Sequence, residues 1–177
     1  MSELASESMG PAARRVVVER AGVALVELLD GDRDWLRAND DGAFDPDPDD
    51  RPLLQEVRSS ALGVLDTATG ELLGSVSWHP EGYGRTFACA AWNIGIGLLP
   101  GARGRGVGTL SQRLLVEHLF ATTEVDRIEA STDVDNVAEQ RALEKAGFRR
   151  EGVLRGAQVR GGVRRDIVLF GLLRSDG

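Results

Sequence analysis

Alternating and clustered apolar positions predict paired strands in the first half of the chain. Apolar runs with strand character occupy 16–18 and 23–28, and again 62–65 and 71–78. Turns that contain glycine separate the members of each pair, which is typical of β-hairpins. A fifth run, 92–98, carries two glycines inside a strand, where glycine marks a bulge or the close approach of another backbone.

The second half of the chain alternates strands with helices. Apolar residues at helical spacing predict a helix over 106–120, and Gly147 has the position of a C-cap behind a later helix. The other predicted elements are strands at 127–132, 153–159 and 167–173, helices at 34–38, 53–60 and 137–146, and a turn at 79–84. This order indicates a mixed α/β domain.

An acidic stretch interrupts the first half. Two prolines and six aspartates lie within 40–50. Such a segment cannot form a regular core element, so we expect a loop there. Residues 1–13 are small and polar and are expected to form a loose tail, which leaves 14–177 as a single domain.

Composition excludes several classes of protein. The 177 residues are 42% hydrophobic and 28% charged, which is ordinary for a soluble domain. A net charge of -7 argues against nucleic-acid binding, and no apolar run approaches the roughly 20 residues of a membrane span. The single cysteine, Cys89, permits no intrachain disulfide, so we expect a cytoplasmic protein. Its apolar neighbours predict a buried thiol, and no metal site is expected.

The segment 103–109, Arg-Gly-Arg-Gly-Val-Gly-Thr, lies between a predicted strand and a predicted helix. The N-terminus of a helix presents free amides and a positive dipole end, glycines admit a phosphate to the backbone, and arginines add charge. The segment therefore predicts a phosphate or pyrophosphate site. It lacks the lysine of a P-loop, and its glycine spacing differs from that of a dinucleotide-binding fold. A glycine-rich turn with solvated arginines is the alternative.

Several motifs together resemble the GNAT (Gcn5-related N-acetyltransferase) superfamily. Arg103, Gly106 and Gly108 match its Arg/Gln-x-x-Gly-x-Gly/Ala signature. Asn136, followed by the Leu-Glu-Lys-Ala-Gly-Phe sequence of 143–148, resembles its second motif. The segments 151–155 and 165–169 resemble the branch related to ribosomal-protein N-terminal acetyltransferases (RimJ/RimL-like). The resemblance implies a GNAT fold: a central, mostly antiparallel mixed sheet of about seven strands, with its fourth and fifth strands splayed apart, flanked by about four helices.

The same resemblance implies acetyl-CoA as the acyl donor. Its pantetheine arm is expected to enter the gap between the splayed strands and to pair with the bulged, glycine-rich strand. The amide of Leu98 is then expected to stabilise the oxyanion of the thioester. Asn136 has a second interpretation as a helix N-cap, and Arg141 one as an exposed helical arginine. The cofactor-binding residues that the resemblance implies are Ile96, Leu98, Leu99, Arg103, Gly104, Arg105, Gly106, Val107, Gly108, Thr109, Asn136 and Arg141.

The residues for proton transfer depart from the family pattern. Many members of the branch have a glutamate base and a serine near the thiol where this chain has Asn93 and Glu139. Glu139 could protonate the leaving thiolate if burial raised its pKa, and the alternative is a helical residue that faces solvent. His79, Glu81 and Tyr83 are the other candidates for a base.

These observations favour an enzyme that transfers acetyl from acetyl-CoA to a primary amine by direct attack in a ternary complex. The expected acceptor is a protein N-terminus or a small-molecule amine, and the protein is expected to be a monomer or a homodimer. Trp35, Phe44 and Asn93 are expected to contact the acceptor, and the acidic loop either attracts a cationic amine or is merely solvated. The alternatives are a catalytically impaired module that binds acyl-CoA and a protein that binds another nucleotide.

Overall fold

Eight strands form one sheet in the computed structural model, which describes residues 14–42, 60–83 and 89–176. The strands are β1 (Val16–Arg20), β2 (Val23–Val26), β3 (Ser60–Asp66), β4 (Leu72–Gly82), β5 (Ala90–Leu98), β6 (Arg127–Asp133), β7 (Arg149–Arg160) and β8 (Val163–Leu173). The helices are α1 (Asp32–Asn39), α2 (Val107–Thr122) and α3 (Val137–Ala146), with short 3-10 turns at Pro100–Ala102 and Arg174–Asp176. The order across the sheet is β1-β2-β3-β4-β5-β6-β8-β7.

The predicted mixed α/β architecture is confirmed. Every neighbouring pair of strands is antiparallel except β5 and β6, which run parallel. The described residues contain eight strands instead of about seven, because each of the eight apolar runs forms its own strand. They contain three α-helices instead of about four. The helix predicted at 53–60 lies outside the described residues, except that Ser60 begins β3.

The core lies between one face of the sheet and the helices α2 and α3. Val64 of β3, Val76 of β4 and Phe170 of β8 are fully buried, as are Leu114 and Leu115 of α2. Burying an aliphatic side chain of this size contributes about 2 kcal/mol relative to leaving it exposed. α2 packs on β1, β2, β4 and β5, and α3 packs on β6, β7 and α2. The sheet also buries apolar side chains on its opposite face, since the consecutive residues Val23 to Val26 of β2 are all buried.

The turn predicted at 79–84 is wrong for its first four residues. β4 continues through Gly82 and stays in register with β5, with His79 opposite Asn93. Pro80 is tolerated because β3 last pairs with β4 at Ser60 and Trp78 among the described residues, so Pro80 lies beyond that ladder. Here the pairing with β5 outweighs the tendency of proline to end a strand.

Cys89 is exposed, which corrects the buried thiol expected from its apolar neighbours. Its carbonyl oxygen accepts a hydrogen bond from the amide of Tyr83 at 2.9 Å. Cys89 therefore lies at the surface, directly before β5.

The strands β5 and β6 diverge after four paired residues. Their parallel pairing runs from Ala91 and Arg127 to Ile94 and Ala130 and then stops, although both strands continue. The splay implied by the family resemblance is therefore confirmed. The bulge that the resemblance implied is not found in the described pairing of β5 with β4, which keeps one register throughout.

A close backbone approach occurs where β4 meets the end of β5, and the glycine that permits it is Gly74 of β4 instead of the two glycines predicted within β5. A Cβ atom on Gly74 would overlap the carbonyl oxygen of Gly97 and lie 2.9 Å from the Cα of Leu98. A side chain of any size at position 74 would therefore push β4 away from the end of β5.

Gly74→Ala is expected to lower the free energy of unfolding by about 3 kcal/mol, because the overlap is with backbone and cannot be relieved by a rotamer change. Chemical denaturation measures it. Gly82→Ala is the matched control on the same strand, since a Cβ there meets nothing within 4 Å. Equal stability of the two variants would contradict the close packing of β4 on β5.

Candidate active site

Backbone N–H and C=O groups near the end of β5 point into the gap between β5 and β6. The amide of Leu99 donates to Leu73 O of the neighbouring chain segment at 2.9 Å, so it faces β4. Successive residues of an extended chain direct their peptide groups to opposite sides. The N–H and C=O of Leu98, and those of Ile96, therefore face the gap. Leu99 itself, expected to bind the cofactor, uses its amide within the sheet.

A cavity of about 380 Å³ occupies this gap, and we call it the donor cavity. It is bounded by the end of β5, by the start of α2 and by one face of α3. A Cβ on Gly97, Gly104 or Gly106 would meet nothing within 4 Å, so glycine keeps the space open. The residues that line it are Asp40, Ile96, Gly97, Leu98, Arg103, Gly104, Gly106, Gly108, Thr109, Asn136, Ala138, Glu139, Arg141, Ala142 and Lys145.

The N-terminus of α2 points its amides at the donor cavity. Gly106 is the N-cap, with a φ of 83° that favours glycine. The first intrahelical hydrogen bond runs from Leu110 N to Gly106 O, so the preceding amides of the first turn remain for a ligand. Val107 is only 7% exposed and packs in the core, so only its backbone can serve an anion. These features suit a pyrophosphate.

The two arginines of the loop differ in their surroundings. Arg103 donates from Nε to Leu98 O at 2.8 Å and lies at the mouth of the donor cavity. Its guanidinium also pairs with Asp40 and Asp41, and the hydrogen bond with Asp41, aided by the charge of both carboxylates, raises the pKa of Arg103. Arg105 is exposed and approaches Gly101 O at 3.5 Å, and it is not among the described residues that line the cavity.

The start of α3 forms the opposite wall. Asn136 is the N-cap of α3, and its side chain accepts a hydrogen bond from Glu139 N at 3.3 Å. The N-cap interpretation of Asn136 is thus confirmed, and the residue also lines the donor cavity. Arg141 and Lys145, one turn apart on α3, line the cavity with their positive charges.

Glu139 lies between α3 and α2 and does not face open solvent. Its Oε1 accepts a hydrogen bond from Nε2 of Gln112, which is 1% exposed on α2. Burial raises the pKa of Glu139 to about 7, and the hydrogen bond from Gln112 opposes that shift only in part. A carboxyl group with this pKa is protonated in a large fraction of molecules at neutral pH. The solvent-facing alternative for Glu139 is therefore wrong, and its role as a proton donor stays a prediction.

Polar side chains cross the other face of the sheet in a row. His79 of β4 lies opposite Asn93 of β5, which lies opposite Glu129 of β6. Asn93 Nδ2 donates to Glu129 Oε1 at 3.1 Å, and Tyr83 Oη donates to Glu129 Oε2 at 2.5 Å. His79 Nε2 lies 3.1 Å from an oxygen of Glu81. The row brings together every proton-transfer candidate on this face that the sequence suggested.

Ionic contacts fix this row. Arg127 Nε donates to Glu129 at 3.2 Å, while its terminal nitrogens hold Glu151 at 2.8 and 2.6 Å. The hydrogen bonds with Glu151 raise the pKa of Arg127, and the same contact lowers the pKa of Glu151. The hydrogen bond to Glu129 raises the pKa of Tyr83, so this phenol keeps its proton. Glu129 is 3% exposed and is held by three donors.

A second cavity, of about 280 Å³, lies between α1 and the ends of β4 and β5. We call it the acceptor-side cavity, and its lining residues are Leu28, Arg33, Leu36, Arg37, Asp40, Ser75, Gly97, Leu98 and Leu99. Trp35 is 41% exposed on the outer side of α1 and is not among these described lining residues. Phe44 lies outside the described residues. The roles predicted for both aromatic residues stay predictions.

Gln112 and Glu129 were not singled out from the sequence. Gln112 occupies a polar position in an amphipathic helix, and Glu129 a polar position in an apolar strand, which usually indicates solvent exposure. A polar residue at a position where the pattern of the element expects burial is the signal that could have identified each of them as a buried, functional side chain. Their partners depend on which elements become neighbours in the fold, and this is not visible in one sequence.

Two further features bear on the class of site. In the described ranges, no group of three or more His, Cys, Asp and Glu side chains could hold a metal ion. Among the helices of the described residues, none is long and apolar enough to cross a membrane.

Comparison with known proteins agrees with this geometry. The model of the family described as "Acetyltransferase (GNAT) domain" matches residues 29–149. The probable N-acetyltransferase YjcK of Bacillus subtilis is 32% identical over 123 residues, which are 70% of this chain and 66% of that protein. An aminoglycoside N(6')-acetyltransferase type 1 of Klebsiella pneumoniae is 29% identical over 123 residues, 59% of this chain and 60% of its own length.

A solved structure extends the likeness to nearly the whole chain. RimJ of Mycobacterium smegmatis, determined with CoA-disulfide, superposes with a TM-score of 0.70 at 20% identity and covers 92% of this chain and 86% of its own. At this identity the likeness shows a shared fold. Residues 29–149, which the family model matches, include α1, the splayed strands β5 and β6, α2 and α3. Acetyl-CoA is the donor that this family uses. By that match, this chain belongs to the GNAT acetyltransferase family.

Proposed function

We propose that the protein is an N-acetyltransferase that uses acetyl-CoA to acetylate a primary amine. One observation carries the proposal: the anion-binding start of α2, the gap-facing backbone of Leu98 and the protonatable carboxyl of Glu139 border a single cavity. Together they match the diphosphate, the thioester and the leaving thiol of coenzyme A. We further propose a protein that works in the cytoplasm as a monomer or a homodimer.

Direct attack within a ternary complex fits the arrangement. The amine nitrogen forms a bond to the carbonyl carbon of the thioester, whose oxygen takes up negative charge beside the Leu98 amide. The carbon–sulfur bond then breaks, and Glu139 gives its proton to the sulfur. The amine loses one proton, which His79 accepts through solvent on the polar face of the sheet.

The acceptor is a protein N-terminus or a small-molecule amine. The acceptor-side cavity supports a compact amine, since it is small and combines leucines with charged groups. The aminoglycoside acetyltransferase among the relatives acts on a cationic small molecule, which supports the second class. Asn93 would contact the acceptor from the polar face, on the same side as Glu129.

A second function is favoured by one observation. Asn93 replaces the glutamate base of many family members, and its amide donates to Glu129, so it accepts no proton there. A chain that binds acyl-CoA without turning it over, and serves as a sensor or interaction module, would show the same donor cavity.

Thermal unfolding in the presence of acetyl-CoA, compared with sodium acetate, distinguishes the enzyme and the binding module from a protein that binds another nucleotide. We expect acetyl-CoA at about 100 times its Kd to stabilise the fold by about 2.7 kcal/mol, and acetate to have no effect. Thiol release is then followed with a panel of peptide N-termini, polyamines and aminoglycosides. Stabilisation followed by thiol release supports the enzyme, and stabilisation with no release from any amine supports the binding module. If neither acetyl-CoA nor CoA stabilises the protein, both proposals fail.

A further inference from the structure

Arg103 connects the donor cavity to the end of α1. Its Nε donates to Leu98 O at 2.8 Å, while Nη2 and Nη1 donate to Asp40 Oδ1 and Asp41 Oδ2, each at 2.7 Å. All three nitrogen atoms of the guanidinium are thus engaged by groups of the protein. The arginine that the family signature assigns to the phosphate loop faces carboxylates here.

Asp40 borders both cavities. It lines the donor cavity together with Arg103, and it lines the acceptor-side cavity together with Leu36 of α1. Its side chain is 25% exposed and that of Arg103 is 37% exposed. An ion pair that solvent reaches to this extent is weak, so its members can change partners without a large loss of stability.

The diphosphate of coenzyme A is a stronger partner for Arg103 than either aspartate. A guanidinium binds phosphate oxygens through paired, charge-assisted hydrogen bonds. The start of α2 attracts the diphosphate to the same loop. A pantetheine amide that pairs with Leu98 O must in addition displace the Nε of Arg103, which occupies that oxygen. Both parts of the ligand therefore act to remove Arg103 from its present partners.

We propose that coenzyme A takes Arg103 away from Asp40 and Asp41, and that the released Asp40 carboxylate binds a protonated amino group of the acceptor, while the nitrogen that attacks the thioester is neutral. The inference rests on the proposed function and deepens it. Only after the donor is bound does the acceptor-side cavity gain a free carboxylate, which lies in a lining that also contains Arg33 and Arg37. The donor therefore binds first, and the acceptor carries positive charge on the group that meets Asp40. Asp40 is then a residue that selects the acceptor.

A double-mutant cycle tests the exchange of partners, with coenzyme A as the probe in isothermal titration calorimetry. Asp40→Asn/Asp41→Asn is expected to lower the Kd for CoA about tenfold, because Arg103 no longer has to leave two carboxylates. The same pair of substitutions made together with Arg103→Gln should change the Kd less than about twofold. If the two substitutions lower the Kd for CoA equally with and without Arg103, they act by reducing charge repulsion of CoA, and the exchange of partners is overturned. An unchanged Kd in Asp40→Asn/Asp41→Asn overturns it as well.

Asp30→Asn/Asp34→Asn is the matched control. It removes the same charge from exposed positions before and within α1, and Asp34 pairs with Arg37 instead of Arg103. The Kd for CoA should stay within about twofold. Hydrogen exchange adds a second readout, since CoA should speed exchange in the last turn of α1 in the wild type and leave it unchanged in Arg103→Gln. Protection of that turn by CoA in the wild type would overturn the release of Asp40.

The acceptor arm uses the most reactive amine found in the thiol-release panel, at saturating acetyl-CoA. Asp40→Asn should raise the KM for that amine about tenfold and leave kcat within about twofold. An unchanged KM would overturn the role of Asp40 in binding the acceptor. If coenzyme A binds and no amine reacts, the proposed enzymatic function has failed and the acceptor role with it, while the cycle still decides whether Arg103 changes partners.

Discussion

Replacement of Gly108 by glutamate is expected to abolish coenzyme A binding while preserving the fold. Gly108 is the second residue of α2 and lines the donor cavity, and a Cβ there makes an ordinary contact of 3.6 Å with Leu98. A carboxylate would occupy the diphosphate position with like charge. The same carboxylate interacts favourably with the helix dipole, and glutamate is a better helix former than glycine.

We expect the Kd for CoA to rise at least about 100-fold, equivalent to about 2.7 kcal/mol, as measured by calorimetry. The melting temperature without ligand should be equal to or above that of the wild type. Gly101→Glu is the control, because it adds the same charge to the preceding turn at a position with nothing within 4 Å of its Cβ. Unimpaired CoA binding by Gly108→Glu would remove the donor from the gap between β5 and β6.

Glu139→Gln is expected to lower kcat about 100-fold at neutral pH, because glutamine cannot protonate the thiolate. Burial raises the pKa of Glu139 to about 7, so the wild-type kcat should fall as pH rises through that value and the acid loses its proton. The residual rate of the variant should lack this decline. Steady-state rates between pH 6 and 9, at saturating acetyl-CoA, measure both effects.

The same substitution should change how stability depends on pH. A carboxyl whose pKa rises from 4.5 to about 7 on folding binds more protons in the native state than in the unfolded state over that interval. The wild type should therefore lose stability as pH rises from about 5 to 8. Glu139→Gln removes this loss, and the difference in unfolding free energy should reach up to about 3 kcal/mol at pH 8.

Glu144→Gln on the exposed side of α3 is the control for both measurements. Its pH profile and stability should follow the wild type. A Glu139→Gln variant with unchanged kcat would exclude this residue as the acid, even if its stability behaves as expected. The unfolding free energy therefore tests whether the pKa of Glu139 is raised, and kcat tests whether Glu139 is the catalytic acid.

Periodicity predicts most of the sheet and the two helices of the donor site. The helix predicted at 137–146 has the observed bounds of α3, because Asn136 caps its start and Gly147, with a φ of 106°, ends it. Such local signals depend on a few neighbouring residues. The strand end at 79–82 was predicted wrongly because it depends on a distant partner, β5, which compensates for Pro80.

The donor loop could be predicted from sequence for the same local reason, and the proton chemistry could not. The start of α2 needs only glycine spacing and a helix behind it. The pKa of Glu139 depends on burial against Gln112, which is 27 positions earlier on another helix. Likewise, Glu129 reaches Asn93 only through the register of β5 on β6.

Because β5 and β6 pair over only four residues, the sheet consists of two parts, β1 to β5 and β6 to β8, with few hydrogen bonds between them. Strands β1 to β5 carry most of α2, while β6 and β7 carry α3. Within the sheet only four residue pairs join the two parts, and the packing of α2 on α3 joins them outside it. A pantetheine arm lying along the unpaired end of β5 would act as a short extra strand and would add contacts between the two parts of the sheet. Bound donor should then make the two parts unfold as one unit, whereas the ligand-free protein is expected to open first along the gap.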